Sequence, residues 1–116
     1  MQAYSDQWKL IQQVLHDHID RDDLKFTNHA NERMEERRIS KESVQYMLYH
    51  NPPSEMHQPL TYPYGEQPFT NLDPVFTVVG VWGNKKIAVA LSIRQYKREL
   101  VFCVITTFEV ERGRHK

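Results

Sequence analysis

Hydrophobic positions recur at helical intervals through the first half of this chain and at alternate positions through the second, so helices precede strands. From Asp6 to Ile19 the apolar residues Trp8, Ile11, Leu15 and Ile19 share one face, with Leu10 and Val14 close by, and Ser5 suits the N-cap. A second helix opens at Thr27 or Asn28, either of which can accept a bond from an unpaired N–H of the first turn, and turns Ala30 and Met34 to the core. Asn31, Glu32, Glu35 and Arg38 take its outward side. A third starts after Ser40, where Ile39 at N′ can staple against Val44. Val44, Met47 and Leu48 form its seam, Tyr46 and Tyr49 pack with wet hydroxyls, and Asn51-Pro52-Pro53 stops it.

Between Ser54 and Pro74 the signal weakens. Glu55 to Tyr62 reads as a first strand, at an edge or irregular, because Pro59, Pro63, Pro68 and Pro74 interrupt the pattern. Val75 to Trp82, a Gly83-Asn84 turn, and a strand carrying Ile87, Val89, Leu91 and Ile93 then form a meander. Arg94 to Arg98 is expected as the next turn, and Leu100 to Phe108 as a closing strand apolar on both sides. The expected fold is α+β, with N-terminal helices packed on one face of a roughly four-stranded antiparallel sheet.

At 116 residues the chain has the size of one domain that builds a core without disulfides or a structural metal. Residues 109–116 read as a charged tail. The single Cys103 lies in an apolar run and reads as a small buried hydrophobe. No stretch approaches a membrane span and the N-terminus lacks a signal-peptide pattern, so no membrane association and a cytoplasmic location are expected. Formal charge is zero, which argues against strong sequence-blind nucleic-acid binding. Its distribution is uneven: residues 1–60 carry 7 Lys plus Arg against 10 Asp plus Glu, residues 61–116 carry 8 against 5.

The candidate chemistry sits on the second helix. His29, Arg33 and Arg37 fall at roughly 0°, 40° and 80° around it, a cationic stripe beside the apolar one. Arg33 and Arg37 are like charges at a destabilising spacing, so a compensating partner is expected. Glu36 and Glu32 offer a solvated ion-pair lattice; an anionic ligand is the alternative, because the guanidinium fork matches two phosphate oxygens. In the first turn the helix dipole disfavours imidazolium, leaving His29 a nitrogen free to accept a proton. Elsewhere, Arg94 and one hydroxyl of the Thr106-Thr107 pair are candidates for substrate contact, against a plain reading as turn and strand residues. The Tyr62 to Phe69 segment is either a base-stacking loop or an ordinary surface loop. His16-Asp17-His18 lacks the spacing of metal ligands and reads as a solvated acidic helix end; no metal or cofactor is expected.

The run Phe26-Thr27-x-His29-Ala30-x-x-Arg33-Met34-x-Glu36-Arg37-x-Ile39-Ser40 resembles the signature of a family of small bacterial and phage domains of unknown function grouped with RelE-like toxins. The likeness spans residues 26–108, with residues 1–24 as a helical addition. It implies the barnase–EndoU–colicin–RelE fold class and a toxin-type, metal-independent endoribonuclease. In that reading His29 is the base that activates an RNA 2′-hydroxyl, Arg33 and Arg37 stabilise the phosphorane, and Arg94 and Thr106 bind substrate. His57, Tyr96 or His29 itself would protonate the leaving group. The implied partners are RNA, as tRNA or mRNA, and an antitoxin or host protein, with a homodimer formed through exposed strand edges. The competing expectation is a phage- or plasmid-encoded inhibitor that keeps the fold and binds a protein.

Overall fold

In a computed structural model, which describes residues 4–64 and 67–110, three helices lie on one face of a five-stranded mixed sheet. The order along the chain is α1 (Trp8–Asp20), β1 (Lys25–Phe26), α2 (Asn28–Arg37), α3 (Lys41–His50), β2 (Pro53–His57), β3 (Val75–Trp82), β4 (Lys85–Tyr96) and β5 (Glu99–Glu109). Strands are arranged β1-β5-β4-β3-β2, antiparallel except that β1 runs parallel to β5. The α+β class is as expected, but the sheet is neither four-stranded nor wholly antiparallel. The extra strand is only Lys25 and Phe26, paired with Cys103 and Val104. Two residues are too few to show an alternation.

Two caps set the helices that matter for the site. The Thr27 hydroxyl accepts from Ala30 N at 3.0 Å and the Ser40 hydroxyl from Ser43 N at 3.0 Å, each satisfying an orphan donor of a first turn. Ala30, Met34, Ile39, Val44, Met47 and Leu48 are buried, and with alternate residues of β3, β4 and β5 they make one core. Leu15 of α1 is fully buried in that same core, so α1 is integral to it. Gly80 lets α3 approach β3 closely: a Cβ there would run into Met47 Cε and lie 2.8 Å from Asn51 Nδ2.

Several local expectations are corrected. Gln7 is the N-cap of α1, with no side-chain bond, and Leu10 is 66% exposed, while Tyr4 and Trp8 pack on Phe76. His18 is no solvated helix end: it is buried edge-on against Phe102 and bonds to Val14 O at 2.8 Å. The first expected strand is Pro53–His57, ending where Gln58 O accepts from Thr61 N and Thr61 Oγ1 and the chain turns. At the β4–β5 hairpin the turn is Lys97-Arg98, at φ 48° and 69°, so Arg94 belongs to β4. Cys103 is half-buried, and burial raises its thiol pKa. Glu109 ends β5, and residues 111–116 of the expected tail lie outside the described residues.

One irregularity shapes the site. Leu91 pairs with Val104 and Ala90 with Thr106, so Ile105 is an extra residue in β5, a bulge. It shifts the alternation by one. Val104 faces the helices, Ile105 and Thr106 both reach a groove on the far side, and Thr107 is fully buried.

Candidate functional site

Beyond the short β1, the edge of β5 has backbone carbonyls that no strand pairs, and buried acceptors need partners. α2 supplies them. Thr27 N donates to Val104 O at 3.0 Å, Thr27 Oγ1 to Ile105 O at 3.3 Å, and Arg37 Nη1 to Thr107 O at 2.8 Å. The helix is therefore pinned to β5 at its cap and its last residue, and His29 and Arg33 lie between the pins.

The stripe opens onto a groove of about 790 Å³. His29, Arg33 and Arg37 contribute from α2, and Ile105, Thr106 and Phe108 from β5. The 58–74 segment supplies Tyr62, Tyr64, Gln67, Thr70 and Asn71. Cross-bonds from Phe69 N to Tyr62 O and from Leu60 N to Asn71 O, both 2.8 Å, fold that segment over the sheet face the helices leave open. There Tyr62 packs with Val75, Ala90 and Ile105 as a second small apolar cluster.

The three basic groups differ in how free they are. Arg33 Nη1 bonds both carboxylate oxygens of Glu36, 2.7 Å from Oε2, in a pair whose side chains are 30% and 52% exposed. Such pairs contribute roughly 0–1 kcal/mol, so an incoming anion can displace Glu36 at little loss. Arg37 is exposed but holds Thr107 O, leaving the rest of its donor fork available. His29 is half-buried and, among the described residues, has no hydrogen-bond partner.

The other candidates separate. Thr106 lines the groove with the stripe. Thr107 faces the core, and among the described residues its buried hydroxyl has no partner. Arg94 pairs with Asp73, Nη2 to Oδ2 at 3.1 Å, beside a neighbouring pocket of about 320 Å³ that shares Asn71 and Ile105 with the groove. It stands four residues from Ala90 on β4, roughly 13 Å along the strand, and does not line the groove that holds His29. Of the three expected proton donors only His29 lines the groove: His57 is bonded to Glu55, and Tyr96 stands 57% exposed on β4 at the far hairpin.

Tyr62 and Tyr64 do line it, stacked edge-on at 5.5 Å. Sequence reading gives this aromatic loop as either a base-stacking element or an ordinary surface loop, and misses its phenols as donors. The signal was present in Tyr62-Pro63-Tyr64, but nothing local says that the loop folds back. Burial, the neighbouring Tyr64 and the Glu55 carboxylate push the Tyr62 phenol up to about 12, so it keeps its proton at neutral pH. Among the described residues, no three His, Cys, Asp or Glu side chains gather as a metal site, and no helix is long and apolar enough to cross a membrane. Comparison with family models, curated proteins and solved structures finds no match to this chain.

Proposed function

We propose that this groove binds single-stranded RNA and cleaves it without a metal, as a toxin-type endoribonuclease of RelE-like fold acting in the cytoplasm. The observation that carries the reading is that His29, Arg33 and Arg37 share one groove with Tyr62 and Tyr64. Cations answer phosphates, and aromatic faces answer unpaired bases. His29 removes the proton from a 2′-hydroxyl, whose oxygen forms a new bond to the adjacent phosphorus while the bond to the 5′-oxygen breaks. Arg33 and Arg37 neutralise the charge that builds on the phosphorane. The departing 5′-oxygen takes a proton from the Tyr64 phenol, the more exposed of the two tyrosines in the groove. The products are a 2′,3′-cyclic phosphate and a 5′-hydroxyl.

A second reading has its own support. Leu60, Tyr64, Phe69 and Leu72 stand 52%, 58%, 59% and 74% exposed on the 58–74 segment, apolar surface of the kind that meets a protein partner. On that reading the chain is a non-enzymatic module that binds an antitoxin-like or host protein, and Arg33 is simply paired to Glu36.

One experiment separates them: purified protein and short RNA incubated in EDTA, with the ends analysed for cyclic phosphate. Cleavage that disappears in His29→Ala supports the nuclease. Intact RNA at high protein concentration removes it and leaves the binding module.

A further inference from the structure

Next to the groove lies a second, more apolar chamber of about 500 Å³, on the same open face of the sheet. The two share Tyr62, Tyr64 and Phe108, which border both. Val79 and Ala88 add apolar surface from β3 and β4, and the Glu55 carboxylate stands at the lining, bonded to His57. We infer that this chamber receives one unstacked nucleobase of the RNA strand whose phosphate rests against Arg33 and His29. The inference builds on the function proposed above.

The contrast between the two spaces is what assigns the occupant. The groove gathers three basic side chains and amides; the chamber offers mainly aromatic and aliphatic walls, with the Glu55 carboxylate, Lys86 and the hydroxyl residues Ser54 and Thr77 also at its lining. A phosphate would gain nothing from Val79, Ala88 and Phe108 and would meet Glu55 as a like charge beside Lys86, and a ribose would leave those apolar walls without a flat partner. A planar heterocycle fits both features, burying its faces on the apolar walls while a ring or exocyclic N–H replaces His57 as donor to Glu55. Because Tyr62 and Tyr64 belong to both spaces, a base in the chamber fixes which phosphate meets His29. The chamber thus sets the register of cleavage.

The test uses a seven-residue RNA in which every 2′-hydroxyl is methylated, so that no internal attack occurs, with one abasic position walked along it. Fluorescence anisotropy of the full chain should show affinity falling about tenfold or more at one abasic position and much less at the others. Val79→Phe, which fills the chamber from β3 with a residue suited to strands, should weaken the intact strand similarly and leave the abasic one unchanged. A flat abasic profile, with Val79→Phe binding as well as the unaltered protein, overturns the base chamber while the groove reading stands. No binding of any strand by the unaltered protein overturns both. If Val79→Phe does not fold, the abasic walk in the unaltered protein decides alone.

Discussion

Arg37 Nη1 donates to the carbonyl oxygen of Thr107 across 2.8 Å, joining the last residue of α2 to the strand that floors the groove. This bond separates two arginines that look equivalent in sequence. Arg37→Ala removes a charged donor from a part-buried carbonyl and should lower stability by about 1–3 kcal/mol, seen as a reduced urea midpoint. Arg33→Ala loses only a solvated pair and should stay within about 0.5 kcal/mol of the parent. If the groove binds phosphate, both should weaken RNA binding. Equal stabilities would show that the Thr107 contact contributes nothing.

The Thr107 hydroxyl is fully buried and has no partner among the described residues, while the residue's carbonyl is the acceptor just described. Replacing that hydroxyl with a methyl removes an unsatisfied polar atom without leaving a void. Thr107→Val should therefore be neutral or stabilising by about 1 kcal/mol. Thr107→Ala, which opens a cavity, should be destabilising. A Val variant that loses stability would mean the hydroxyl has a partner after all, with bound water the first candidate.

These two residues also mark where sequence ceases to be informative. The capping of α2 by Thr27 and of α3 by Ser40, the burial of Ala30 and Met34, and the stop at Asn51-Pro52 are local chemistry, and each was legible from a few neighbouring residues. The bulge at Ile105 was not. Leu100 to Phe108 is so evenly apolar that its pattern gives no face, and a one-residue slip reverses every side chain beyond it. The strand pattern thus gave no physical ground for choosing between the two threonines; Thr106, the one expected to meet substrate, is the one that lines the groove. Arg94 was misjudged for a related reason. Gly and Asn, the usual left-handed residues, are absent from Lys97-Arg98, so nothing local narrowed the expected Arg94 to Arg98 turn to these two residues and the strand was ended too early. The alignment of His29, Arg33 and Arg37 followed from helical period alone. The loop wall opposite them comes from residues 25 to 42 positions further along the chain.

Tyr62 gives a pH dependence with a definite sign. Its phenol is raised from 10.0 to about 12 by burial, so between those values the unfolded chain releases this proton and the folded chain retains it. The unfolded state then binds fewer protons, and stability falls as pH rises. The contribution is complete below about pH 10 and is lost as pH approaches about 12. Urea midpoints measured from pH 9 to 11.5 should fall more steeply for the parent than for Tyr62→Phe. Parallel curves would mean that this phenol is solvated in the folded protein.

Glu36 offers the sharpest test of whether the stripe is a binding surface or a solvated helix face. Its carboxylate holds Arg33 Nη1, so a phosphate bound at Arg33 must either displace it or share the guanidinium with it. Glu36→Gln keeps the shape and removes the negative charge. With an anion site there, affinity for a methylated RNA strand should rise by up to about fivefold, since an exposed pair contributes at most roughly 1 kcal/mol. The logarithmic salt slope should steepen by up to about one ion, because Arg33 then neutralises phosphate rather than carboxylate. With a merely solvated face, the same change should leave RNA affinity and salt slope where they were. It would alter only the helix, by a few tenths of a kcal/mol lost with the i,i+3 pair. Opposite movements of RNA affinity and thermal stability in this one variant are therefore the signature of a guanidinium held in reserve for phosphate.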